Sequence, residues 1–179
     1  NLEVAKKMQL LRSHGITRDS KEMTNSIVSD WYYEQISLGF NYRMTDFQAA
    51  LGISQLSRLD EYVAKRSKIA HWYDEQFSNM TVIPLSDAGY GSSSHHLYVV
   101  RVKNGKDERD KLYNYLKKNG ISVNLHYIPI YRQPFFNRKI RLFGVEKYFE
   151  SAISLPIFPK LSKKDLKKII TVIYKFYEN

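Results

Sequence analysis

Apolar residues at helical spacing open the chain. In NLEVAKKMQLLRSHG, Val4, Met8 and Leu11 fall on one face, so the pattern predicts an amphipathic helix stopped by Gly15. Such a stripe needs a surface to cover it, and nothing precedes it here, so the sequence is expected to be the carboxy-terminal portion of a longer protein. From Gly15 to Gly39 the chain is polar and aperiodic. Trp31, Tyr32 and Tyr33 predict a loop anchored by aromatics.

A sharp boundary follows. Thr45 and Gln48 have the form of a capping box, in which hydroxyl and amide satisfy orphan backbone donors at a helix start. Phe47, Ala50, Leu51, Leu56, Leu59, Val63, Ile69, Trp72, Tyr73 and Phe77 then keep a helical period almost to Pro84. At about 1.5 Å per residue the run would approach ~50 Å, more than a small domain is wide. It is therefore expected to break once, near Ser57 to Asp60, and to link two domains, residues 1–57 and 58–179.

Beyond Pro84, SDAGYGSSS reads as a flexible loop and HHLYVVRV as a buried strand rich in β-branched and aromatic residues. KDERDKLYNYLKKNG reads as a helix ended by Gly120, and ISVNLHYIP as a second strand. YRQPFFNRKIRLFG is irregular. SAISLPIFPKLS reads as a short strand closed by Pro156 and Pro159, after which Ser162 opens the last helix. The order predicts a compact α+β layer, a small sheet packed with helices.

Composition adds limits. With 179 residues, 43% apolar and 14% aromatic, the chain can bury a good core, and no apolar run is long enough for a membrane span. It has no cysteine, which excludes disulfides and thiolate metal sites and permits a reducing compartment. The net charge of +10 raises a nucleic-acid reading. Much of that charge, however, is Lys160, Lys163, Lys164, Lys167 and Lys168, interleaved with an apolar stripe of Leu161, Leu166, Ile169, Ile170 and Ile173. Charge so placed solvates a helix face.

Familiar catalytic patterns are missing. His14, His71, His95, His96 and His126 form no helical pair of the zinc type, and the chain has no P-loop, no GxGxxG and no serine elbow. The polar segment before the capping box remains. Asn41 offers an amide donor and Arg43 a planar fork of charged donors, beside a helix start that favours an anion. Together they suit a phosphate; alternatively Asn41 supports the turn while Arg43 pairs with a carboxylate. His126 and Tyr127, at the end of an expected strand, either face a cleft or are ordinary core or surface residues. His14, at the end of the first helix, reads equally as a cation favoured by the helix dipole.

Five segments, LRSHGI, LGFNYRMTDFQAALGISQLSRLDEYVAKR, SSSHHLYVV, GISVNLHYIPIY and SLPIFPKLS, together resemble the sugar aminotransferases of the DegT/DnrJ/EryC1/StrS family, over nearly the whole chain. The nearest likeness is to the branch that aminates C4 of a UDP-linked 4-keto-6-deoxy-N-acetylhexosamine on the way to pseudaminic acid. The resemblance implies an α/β and α+β architecture, that of a fold-type-I pyridoxal 5'-phosphate enzyme. Residues 1–57 would be the end of the cofactor-binding large domain and 58–179 the small carboxy-terminal domain, joined by a long linking helix.

It also implies roles. Asn41 would reach from one subunit of a homodimer into its neighbour's site and donate to the cofactor phosphate, and Arg43 would meet that phosphate or an anionic nucleotide-sugar substrate. His126 and Tyr127 match the family's substrate-facing pair, while His96 falls on its HHLY strand without an assigned role. The Schiff-base lysine would lie upstream of Asn1, so this chain holds no catalytic residue and is expected to be inactive alone. The implied reaction moves an amino group, from glutamate, to a keto-sugar nucleotide in cytoplasmic glycan biosynthesis. Three other readings stand beside it: a sugar dehydratase of the same family with histidine in place of the lysine, a basic nucleic-acid-binding module, and a non-catalytic fragment.

Overall fold

The computed structural model describes residues 1–85, 93–136 and 139–178. Its chain divides into two units, Asn1–Ser57 and Arg58–Asn179.

The first unit begins with helix α1, Leu2–Arg12, capped by the Asn1 side chain, which accepts from the Glu3 amide at 3.0 Å. Two short antiparallel strands follow, β1 (Ile16–Thr17) and β2 (Glu34–Gln35). Between them the chain is organised by a carboxylate. Buried Glu34 accepts from the amide and hydroxyl of Thr24 at 2.7 and 2.8 Å, from the Asn25 amide at 2.8 Å and from the Tyr32 hydroxyl at 3.0 Å. This corrects the expected aromatic anchor, because Trp31 and Tyr33 are exposed and can contribute little burial energy. Helix α2, Asp46–Leu56, closes the unit with the expected capping box: Gln48 N–H donates to the Thr45 hydroxyl at 3.3 Å, and Thr45 N–H to the Gln48 amide oxygen at 2.9 Å.

Helix α3, Leu59–Phe77, opens the second unit, so the long apolar run does break where the sequence placed the break. Its inner face buries Ile69, Ala70, Tyr73 and Phe77. Strand β3 (Ile83–Pro84) comes next, too short to announce itself in the sequence. Residues 86–92, most of the expected SDAGYGSSS loop, lie outside the described residues. Strand β4 (Tyr98–Arg101) then forms the middle of an antiparallel sheet of order β3-β4-β5, where β5 is Ala152–Leu155 and Val100 faces Ile153. The strand starts later than HHLYVVRV suggests, leaving His96 before it.

Helix α4, Lys106–Lys118, ends as expected at Gly120, whose φ of 72° suits a residue without a Cβ. ISVNLHYIP does not form the expected strand. Only Asn124 makes a bridge, to Ser154, and its side chain then accepts from the Leu125 amide at 2.8 Å, a local bond that competes with further pairing. The irregular stretch holds a 3-10 turn at Ile130–Arg132, and helix α5, Phe143–Ser151, follows where no helix was expected. Helix α6, Lys163–Glu178, starts at Ser162, whose hydroxyl accepts from the Asp165 amide at 3.1 Å. Its Leu166, Ile169, Val172 and Ile173 are buried and its first lysines exposed, the solvated face that the pattern predicts. No described helix is long and apolar enough to cross a membrane.

Candidate functional site

The segment carrying Asn41 and Arg43 is sewn to the end of α1. A helix leaves its last carbonyls without partners. Here Leu11 O accepts from Phe40 N at 2.7 Å, Arg12 O from Tyr42 N at 2.9 Å, and Phe40 O from His14 N at 2.9 Å, so that Ser13 and Asn41 form an antiparallel bridge. Two glycines make this approach possible. A Cβ on Gly39 would lie 2.1 Å from Gly15 N and 2.4 Å from the His14 carbonyl carbon. The capping box of α2 fixes the other end of the segment at Thr45.

Between these anchors the Arg43 Nε donates to Asn41 Oδ1 at 3.4 Å. Among the described residues no ion pair of Arg43 with a carboxylate is found. The bond uses the amide oxygen of Asn41 and leaves its NH2 group as a donor beside a guanidinium, in the segment that leads into α2. That donor set fits a phosphate. Arg43 also lines a cleft of about 310 Å³ with Ser13, His14, Ile16, Arg18 and Tyr33.

His126 and Tyr127 belong to the second unit. The His126 Nδ1 lies 2.7 Å from the Ser154 hydroxyl, and its carbonyl accepts from the Tyr148 hydroxyl at 3.2 Å. Tyr127 stands beside it with ring centroids 4.7 Å apart, and is 71% exposed. The loop beyond is held by Glu146, a buried carboxylate of α5 that accepts from the Tyr131 hydroxyl at 2.8 Å and from Arg132 through two nitrogens, Nε at 3.1 Å and Nη2. Burial pushes the Glu146 carboxyl up. The Tyr131 and Arg132 hydrogen bonds and the Arg132 and Arg141 charges outweigh that and hold it below its ordinary value.

Sequence reasoning did not find Ser154 or Glu146. Each lies more than ten residues from the side chain it holds, and no local pattern signals such a pairing. Among the described residues no three His, Cys, Asp or Glu side chains gather as a metal site. His71 is instead bonded at 2.7 Å to the Ser67 carbonyl of its own helix.

The sequence profile of the DegT/DnrJ/EryC1/StrS aminotransferase family matches residues 1–174. The chain belongs to this family. One DegT/DnrJ/EryC1/StrS relative is the UDP-4-amino-4,6-dideoxy-N-acetyl-beta-L-altrosamine transaminase of Campylobacter jejuni, 32% identical over 99% of this chain and 46% of the relative. The structure is similar to Helicobacter pylori PseC, an aminotransferase involved in the biosynthesis of pseudoaminic acid, with a TM-score of 0.86 and 30% identity over 99% of this chain and 47% of that one. It is also similar to a Streptococcus pneumoniae structure in its PLP form, with a TM-score of 0.80 and 31% identity over 97% of this chain and 44% of that one. The chain thus spans about half the length of the curated relatives it matches. Its α+β fold is that of the aminotransferase neighbours over that half.

Proposed function

We propose that this chain is part of a pyridoxal-phosphate-dependent aminotransferase that moves an amino group, from glutamate, to a keto-sugar nucleotide in glycan biosynthesis. Residues 1–57 end the cofactor-binding domain and 58–179 are the small domain. The observation that carries the reading is the pairing of Asn41 with Arg43 between two fixed anchors, in the segment before a capped helix. Membership in the family and the names of its relatives supply the reaction class.

Bound pyridoxal phosphate would supply the electron sink that lets an amino group change carriers. The residues of this chain bind and orient. The Asn41 amide and the Arg43 guanidinium grip the phosphate, and their anchored backbone holds them in place before the ligand arrives. His126, its Nδ1 engaged by Ser154, presents the rest of its ring to the sugar, and the exposed Tyr127 hydroxyl joins it. The site is shared between subunits of a cytoplasmic homodimer. α1 and α2 bury no residue and leave Met8, Phe47, Leu51 and Ile53 exposed, apolar surface that the rest of the protein in its natural length and a second subunit can both cover.

The test follows nitrogen. The protein in its natural length, given a UDP-linked 4-keto sugar and 15N-glutamate, should yield a 15N-amino sugar and 2-oxoglutarate. Loss of water from the sugar without 15N incorporation would replace amino transfer by dehydration.

A further inference from the structure

The dipeptide Asn-Gly occurs twice, at Asn104–Gly105 before α4 and at Asn119–Gly120 after it. An asparagine followed by glycine is open to a reaction with its own backbone. The glycine nitrogen attacks the side-chain amide carbon of the asparagine, and a glycine, having no Cβ, leaves that nitrogen easy to approach. Two conditions control the attack. The glycine N–H must be free of a hydrogen bond, and the asparagine side chain must be free to fold back over it.

The two sites differ in both respects. At Asn119 the fold holds the reacting groups in place: the side-chain NH2 donates to the Tyr115 carbonyl at 2.9 Å, and the Gly120 N–H donates to the Lys117 carbonyl at 3.0 Å. At Asn104 nothing comparable is present. Its side chain is exposed, and among the described residues neither that side chain nor the Gly105 N–H makes a hydrogen bond. A Cβ on Gly105 would meet nothing within 4 Å, so a ring has room to close there.

We propose that Asn104 is a site of spontaneous deamidation by water, that the fold protects Asn119 from the same reaction, and that the change at residue 104 loosens the start of α4. First the Gly105 nitrogen bonds to Asn104 Cγ and gives up its proton, and Nδ2 leaves as ammonia. The product is a five-membered succinimide. Water then adds to one of its two carbonyl carbons and breaks that carbon's bond to nitrogen. Opening at Cγ yields aspartate. Opening at the main-chain carbonyl carbon yields isoaspartate, in which the backbone runs through the former side chain.

The consequence runs through Glu108. The Asn104 N–H donates to one oxygen of this carboxylate at 2.6 Å, and the Tyr177 hydroxyl of α6 donates to the other at 2.6 Å. Glu108 thus ties the segment before α4 to α6. A new carboxylate at residue 104 stands beside it and repels it. In aspartate the positive end of α4 offsets that repulsion. In isoaspartate the main chain is longer by one carbon between residue 104 and Gly105, which displaces the N–H that Glu108 holds. Isoaspartate is therefore the disruptive product.

The experiment ages the protein in its natural length in mildly alkaline, 18O-enriched water and follows 18O at each asparagine by peptide mapping, beside a sample held unfolded in urea. In the folded protein 18O should enter residue 104 at least about tenfold faster than residue 119, whose hydrogen bonds must open first. In urea the two rates should converge. Aged wild type should melt lower than fresh. Asn104→Gln, whose longer side chain would have to close a six-membered ring, should take up no 18O at that position and melt alike before and after ageing. Equal rates at the two residues in the folded protein would overturn the proposal, and so would a residue 104 labelled in urea but not in the folded state. Aged wild type that carries the label at residue 104 and melts like fresh protein would overturn the loosening of α4.

Discussion

The imidazole Nδ1 of His126 is bonded to the hydroxyl of Ser154, 2.7 Å away and buried in strand β5. The sheet, which makes the core of the second unit, thereby reaches out to orient a side chain on an irregular segment. Ser154→Ala should release the ring at a stability cost of about 0.5–1.5 kcal/mol. If His126 faces the sugar, KM for the sugar nucleotide rises several-fold and cofactor retention is unchanged. Steady-state kinetics with a parallel melting curve check this, and an unchanged KM would make the contact purely structural.

Glu34 makes the first unit sensitive to acid. The Thr24 amide is the main cause of its low pKa; burial opposes it, while the Asn25 amide and the Thr24 and Asn25 side chains add to it, so the carboxyl titrates at about 2 against an ordinary 4.5. Because the folded value is the lower one, its stabilisation is complete above about pH 4.5 and drains away as the pH falls to about 2. Amide-exchange protection of Thr24 and Asn25 should follow that course. In Glu34→Gln it should be low and flat across the same range.

Gly39→Ala tests the seam between α1 and the Asn41 segment. The new Cβ would meet Gly15 N and the His14 carbonyl carbon, both backbone atoms that cannot swing aside. The expected loss exceeds about 1 kcal/mol, with a lower melting temperature and impaired cofactor retention, since the seam positions Asn41. A variant that melts and retains cofactor like wild type would show that the close packing of the two glycines is dispensable.

Local chemistry was what the sequence made legible. Thr45 with Gln48, Ser162 before α6 and Gly120 after α4 each act on residues a few positions away, and each stands where its pattern placed it. The same holds for the break between α2 and α3. Elements defined by distant partners were not legible. Strands β1, β2 and β3 have two residues each, too few to show a period, and exist because another stretch of chain lies alongside. The segment ISVNLHYIP invited a strand, but the Asn124 side chain accepts from the Leu125 amide and pairing stops at one bridge.

The candidate site divides in the same way. Asn41 and Arg43, two residues apart before a capped helix, could be singled out from the sequence alone. The cleft of His14, Arg18 and Arg43 could not, because the Gly15–Gly39 contact that assembles it joins residues 24 positions apart by number (39 − 15). Glu146 and Ser154 were hidden for the same reason, their partners Arg132 and His126 being 14 and 28 residues away.

If, as proposed, the Asn41 segment completes an aminotransferase site across a dimer, two variants that are inactive alone should be active as mixed dimers. In the protein of natural length, subunits carrying Asn41→Ala are mixed with subunits whose cofactor-bearing lysine is replaced; each is inactive alone. Removing a donor to a charged group costs about 1.5–3 kcal/mol, enough to impair cofactor binding at each Asn41→Ala site without unfolding the subunit. If Asn41 serves the neighbouring subunit, a mixed dimer contains one site with both lysine and asparagine, and transfer of 15N from glutamate to the sugar returns. No transfer by mixed dimers whose formation is confirmed would contradict the account.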